Sequence, residues 1–143
     1  MKWSPFEKIM IKDIQTPIVK NVTLAIVREK NNLLIDEWRV YLINNNEVPI
    51  ENTLVASTGY GEINGKEQKT STLRHFLQTI DALSSSLIEP IDSAVFHLNN
   101  EYWVSYYIGQ ELFDKRFVFL PETIKVENLT FIRELDREGV LHS

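Results

Sequence analysis

Chemistry near neutral pH commonly begins with histidine, and this chain of 143 residues has three: His75, His97 and His142. No two of them share a short metal-ligand spacing, and a chain without cysteine has no thiolate to offer zinc, a disulfide or thiol catalysis. His75 would need folding to bring it to Glu89 or Asp81, which spacing alone does not dictate. Nucleophilic catalysis would fall to Ser71, Ser84 or Ser105, and none of these sits in a Gly-x-Ser-x-Gly elbow. Glu62 and Glu67 face each other across a proposed hairpin, where two like charges would raise one carboxyl; a solvated strand tip is the plainer account. Gly59-Tyr-Gly-Glu-Ile-Asn-Gly65 has the glycine density of a phosphate-cradling loop, but no Lys-Ser/Thr follows it and it runs into a turn. Turn glycines explain it more simply. The expectation is therefore no catalytic residue, no metal and no cofactor.

What the sequence does collect is the residue set of a contact surface. Trp103 and Arg116 fall opposite each other in a hairpin centred on Gly109-Gln110, with Tyr107 and Leu112 alongside. An exposed Trp–Arg pair can stack, contributing about 0.5–1 kcal/mol as a cation–π contact. Trp, Tyr and Arg are the types enriched at binding hot spots. Trp103, Arg116, Tyr107 and Leu112 thus form the candidate interaction surface. The competing account is that a terminal segment of the same chain covers them.

The elements that must position these residues read as strands. Glu101 to Phe119 is dense in Tyr, Trp, Phe and Val, and Gly109 before a polar residue marks a two-residue type II′ turn. That turn pairs Tyr102 with Phe117, Val104 with Lys115 and Tyr106 with Phe113 on a core face, where Lys115 is the misfit. Val19 to Arg28 alternates, and Trp38, Val40 and Leu42 line the next strand, ended by Asn44-Asn45-Asn46. Thr53 to Ile63 leads into Asn64-Gly65, a type I′ signal, and a return strand from Lys66 to about Phe76 with Leu73 opposite Ala56. Residues 76–84 fit a helix or a strand, since Phe76, Leu77, Ile80 and Leu83 also fall at helical spacing. Ser84-Ser85-Ser86 reads as loop, Leu87 to Ile91 as an edge strand limited by Pro90, and Ala94 to Leu98 as another strand. Residues 3–15 are divided between helix and extended chain, with extended preferred. The tail reads as charge-laced with a turn of helix around Leu129 to Leu135.

About eight short strands with turn signals every ten residues or so predict an all-β, single-domain antiparallel β-sandwich, immunoglobulin-like in architecture only. The domain spans residues 1–143, with 1–18 and 121–143 as flanking segments. A net charge of −5 without a basic stripe argues against nucleic acid. The first residues carry no signal-peptide pattern and no apolar run approaches a membrane span, so a cytoplasmic protein with no membrane attachment is expected.

Gly59-Tyr-Gly-Glu-Ile-Asn-Gly65, Lys69-Thr-Ser-Thr-Leu-Arg-His-Phe76, Leu87-Ile-Glu-Pro-Ile91, Asn100-Glu-Tyr-Trp-Val-Ser105 and Asp114-Lys115 carry a resemblance. Over about Val40 to Leu141 the chain resembles a family of short bacterial β-rich proteins, some of whose members are labelled phenylalanyl-tRNA synthetase α subunit. The resemblance implies an accessory protein or subunit linked to that enzyme. It carries no site residues: Phe131-Ile-Arg-Glu134 places Arg one position later than the class II Phe-Arg-x-Glu motif, and Gly59 to Gly65 lacks the Arg of its Gly-rich motif. The leading expectation is a non-catalytic protein-binding or scaffolding module that recognises an unknown protein partner, with a homo-oligomer built through edge strands as a further alternative.

Overall fold

The computed structural model describes residues 17–143, so the reading of residues 3–15 lies outside the described residues. Ten strands follow in order: β1 (Val22–Lys30), β2 (Asp36–Asn44), β3 (Ile50–Ile63), β4 (Lys66–Lys69), β5 (Leu73–Ile80), β6 (Ser84–Ile91), β7 (Asn99–Ile108), β8 (Glu111–Phe119), β9 (Thr130–Ile132) and β10 (Arg137–His142). They form two antiparallel sheets, ordered β6-β2-β1-β10-β9 and β4-β3-β7-β8, with β5 also pairing β3. Neither sheet closes into a barrel. The chain is all-β, and among the described residues there is no α-helix and none long and apolar enough to cross a membrane.

Period-2 alternation builds the core between the sheets. Leu24, Ile26, Val40 and Leu42 from the first sheet meet Val55, Tyr102, Val104, Tyr106, Phe117 and Phe119 from the second. Asn64 and Gly65 both have positive φ (52° and 77°), as a type I′ turn requires. Gly109 is at φ 61°, and the two-residue turn it makes pairs Tyr102 with Phe117, Trp103 with Arg116 and Tyr106 with Phe113, the register read from the sequence.

Residues 76–84, open between helix and strand, are strand through Ile80 and then turn. Five sequence readings are corrected. Ser84-Ser85-Ser86 opens β6 rather than a loop. Ala94 to Leu98 is not a strand: Asp92 Oδ1 accepts from the Ala94 amide (2.8 Å) and caps a 3-10 turn at Ser93–Val95. The residues around Leu129 to Leu135 are not helical. They form β9 and its turn to β10, which inserts between β1 and β9 instead of flanking the fold.

The fourth concerns β5. Leu73 pairs with Ser57 and Arg74 with Ala56, one residue away from the expected register. The cause is an extra residue at Thr70 to Thr72, where the Thr70 hydroxyl accepts the Gly59 amide (2.8 Å) in place of a ladder partner. A one-residue slip exchanges the faces of a strand, so His75 shares the inner side with Val55 while Arg74 and Phe76 turn outward. Gly59 and Gly61 are strand residues, not turn glycines, and a Cβ on either would press on Leu98.

Edge protection explains the misfit Lys115. β8 pairs only with β7, leaving one side of a nine-residue ring-rich strand free. Lys115 faces inward opposite Val104, its Nζ 4.8 Å from the Phe117 ring centroid. An inward charge on an edge strand opposes further strand addition. The first sheet ends instead on the three-residue β9 and on β6, which carries Pro90. At about 1 µM, below the range of weak association, Lys115→Val is expected to convert a monodisperse solution into one that aggregates through β8, read by light scattering. A variant as monodisperse as the wild type would refute this.

Candidate functional site

The outer face of the second sheet carries the predicted surface. Cross-strand rows place Arg74, Ala56, Trp103 and Arg116 side by side, then Phe76, Leu54, Ser105 and Asp114, then Tyr107 and Leu112. Trp103, Tyr107 and Leu112 are 45%, 36% and 46% exposed, and Leu54 and Phe76 extend the apolar area beyond what the sequence suggested. The C-terminal strands join the first sheet, so among the described residues no terminal segment covers this face. Trp103 and Arg116 are neighbours but do not stack: Arg116 Nη1 reaches Glu101 Oε1 at 3.2 Å. The ion pair takes the guanidinium along the sheet and leaves the indole bare. Because Ala56 is small between Arg74 and Trp103, the face dips into a notch of about 170 Å³ lined by Leu54, Ala56, Arg74, Trp103 and Ser105. Arg74 has no ion-pair partner among the described residues.

A second constellation lies between the sheets. Where β2 pairs β6, the register shifts between Val40 and Tyr41, opposite an extra residue in β6. This irregularity lets Ile88 and Glu89, adjacent in sequence, both be buried. Glu89 Oε1 accepts from Ser57 Oγ (2.8 Å) and lies 2.6 Å from His75 Nε2, while Oε2 accepts from Tyr102 OH (3.2 Å). A carboxylate only accepts, so His75 Nε2 is assigned as the protonated nitrogen. Glu89 comes from the first sheet and its three donors from β3, β5 and β7 of the second. One carboxylate therefore ties four strands. A cleft of about 190 Å³ opens beside it, lined with Ser57, Thr58, Thr70, Ser71, Asp92 and Glu101.

The geometry argues for a structural tie rather than a catalytic relay. In a nucleophilic triad the imidazole stands between hydroxyl and carboxylate, taking the hydroxyl proton. Here the carboxylate stands between them, so Ser57 and His75 both spend their protons on Glu89. The other histidines are engaged elsewhere: His97 Nε2 lies 3.0 Å from Gln68 Oε1, and His142 meets Phe117 and Phe119 edge-on. Among the described residues no three metal-ligating side chains converge.

The two buried tyrosines carry a pH signature. Burial, then the charge of Glu89 and its hydrogen bond, push the Tyr102 phenol well above its ordinary value. Burial alone raises Tyr106, stacked on Phe113, to about 12. The folded state thus holds each phenol proton more tightly than the unfolded chain. The contribution of Tyr106 is complete below the unfolded phenol value of about 10 and is lost as pH rises through about 12, and that of Tyr102 is likewise lost on the alkaline side. Denaturant midpoints measured from pH 8 upward should fall across that window and flatten in Tyr102→Phe/Tyr106→Phe. An unchanged slope in the double variant would rule these groups out.

No family model matches this chain, and no curated protein or solved structure shows a significant match to it.

Proposed function

We propose that this chain is a non-catalytic, cytoplasmic protein-binding module, an immunoglobulin-like sandwich whose outer sheet face receives a partner side chain. The observation that carries the reading is the notch over Ala56, walled by half-exposed Trp103 and by Arg74, which has no ion-pair partner among the described residues, with Leu54, Phe76, Tyr107 and Leu112 around it. Such a face supplies an apolar anchor pocket with an aromatic wall and a cation at the rim, the anatomy of an interface hot spot. A core filled from both sheets supports the sandwich reading. The lack of cysteine suits a reducing compartment, in keeping with the cytoplasmic expectation.

The test is capture with immobilised wild type, Trp103→Ala and the notch-filling Ala56→Trp. Truncating a hot-spot aromatic should weaken a specific partner by about 2 kcal/mol, roughly thirtyfold, while these surface changes move stability by only about 0.5 kcal/mol. Retention of the same partner by both variants would refute the surface. The synthetase association rests on the sequence resemblance alone; a melting midpoint unmoved by ATP, phenylalanine and Mg²⁺ would count against a ligand-binding form of it.

A further inference from the structure

The turn between β1 and β2 presents Leu33, Leu34 and Ile35 to solvent, 76%, 76% and 58% exposed. It is a built knob rather than a slack loop. Asn31 Oδ1 accepts from the Leu33 amide (2.8 Å) and the Ile35 amide (3.1 Å), and Asn31 Nδ2 donates to Glu37 Oε1 (2.8 Å). The Leu34 amide donates to Asn31 O and the Asn31 amide to Ile35 O, both at 2.9 Å. Leu34 itself sits at φ 62°, a left-handed conformation strained for leucine. A turn that only had to reverse the chain would be served by Asn-Gly, as residues 64 and 65 are. Here three large apolar side chains are instead held outward in one arrangement.

The same molecule offers a surface that such a knob fits. The notch over Ala56 is apolar, of a size for an aliphatic side chain, and Arg74 stands at its rim with no carboxylate paired to it among the described residues. Asp36 follows the knob directly, and its ion pair with Lys30 (3.2 Å) has both side chains more than half exposed. An exposed pair of that kind gives up its partner at little cost. We infer that the Leu33–Ile35 knob of one molecule docks in the Ala56 notch of a second copy, with Asp36 meeting Arg74. The inference rests on the reading of this face as a binding surface and names its occupant.

Knob and notch are different patches, one at the end of a hairpin of the first sheet and one on the outer face of the second. The contact is therefore heterologous: each molecule gives one knob and offers one notch, and assembly proceeds as a line or a closed ring. Three side chains make a small interface, so association belongs to the weak, concentration-dependent class.

Sedimentation velocity over about 10 µM to 1 mM, the range such weak contacts span, should show the mean mass of the wild type rising above the monomer. Leu34→Asp and Ala56→Arg should each remain monomeric. Mixed in equal amounts they should form a dimer that grows no further, because only one intact knob and one intact notch can meet. Arg74→Glu should weaken assembly and Arg74→Glu with Asp36→Arg should restore it. A wild type that stays monomeric throughout, a Leu34→Asp protein that assembles like wild type, or a mixture that stays monomeric overturns the proposal. Binding of the monomeric wild type, but not Leu34→Asp, to phosphatidylcholine vesicles also overturns it, assigning the knob to a bilayer. None of these results alters the Trp103→Ala capture outcome, so the broader reading of the face stands or falls separately.

Discussion

Glu89→Ala is expected to lower stability by about 3 kcal/mol, because it strips one buried acceptor from three donors at once. Tyr102 is 1% exposed and Ser57 6%, so both hydroxyls are buried where Glu89 meets them. For a chain of this length the melting midpoint should drop by roughly 10 °C, and the denaturant midpoint should fall with an unchanged slope. Tyr102→Phe alone should cost about 1–2 kcal/mol, the worth of a hydrogen bond to a charged acceptor. In the Tyr102→Phe background Glu89→Ala should cost less than in the wild type, since one stranded donor is already gone. Strict additivity of the two, or a Glu89→Ala protein as stable as wild type, would show that the carboxylate does not tie the sheets.

Gly139→Ala should be comparably damaging, for a steric reason. Gly139 pairs with Val27 of β1 and Thr130 of β9. A Cβ there would stand 2.7 Å from the Ile26 carbonyl oxygen, 2.8 Å from Val27 Cγ1 and 2.9 Å from Ile132 Cδ1. The missing side chain is what lets Ile132 fold down against Ala25, Val27 and Ile43 in a second apolar cluster on the far side of the first sheet. Side chains can yield, but the Ile26 oxygen belongs to the β1 backbone. A loss of about 2–4 kcal/mol is expected from this overpacking, measured by chemical denaturation. Trimming the neighbour in Gly139→Ala/Ile132→Val should recover only part of it. A single variant with wild-type stability would refute the close approach.

These two sites also mark where sequence reasoning ran out. The β7–β8 register was legible because a two-residue turn fixes every later pair, so Trp103, Arg116, Tyr107 and Leu112 were placed correctly on one face. Their contacts were not, since Arg116 is long enough to choose Glu101 over its cross-strand neighbour. The Asn64-Gly65 turn fixes β4 just as firmly, but the Thr70 hydroxyl breaks the ladder after four pairs and carries His75 inward. Meeting Glu89 then took a second irregularity, in another sheet. Neither has a signature beyond ordinary Thr, Ser and Val residues, although Thr70-Ser71-Thr72 between two strands was the available hint. Lys115 is an oddity on the core face of its strand in the sequence, and the edge position of β8 accounts for it. The knob went unread because Asn31-Asn32 announces a turn while the three apolar residues after it look like the start of a strand.

The position of β10 beside β1 has a consequence for synthesis. The second sheet draws all its strands from residues 50 to 119, so it can assemble while translation continues. The first cannot: β1 emerges early and waits, one flank bare, until codon 142 has been decoded and the exit tunnel cleared. Pairing across that sequence distance also slows the ordering of the chain itself. A nascent polypeptide stalled before residue 137 would leave the β10-facing edge of Leu24–Val27 without its ladder partners.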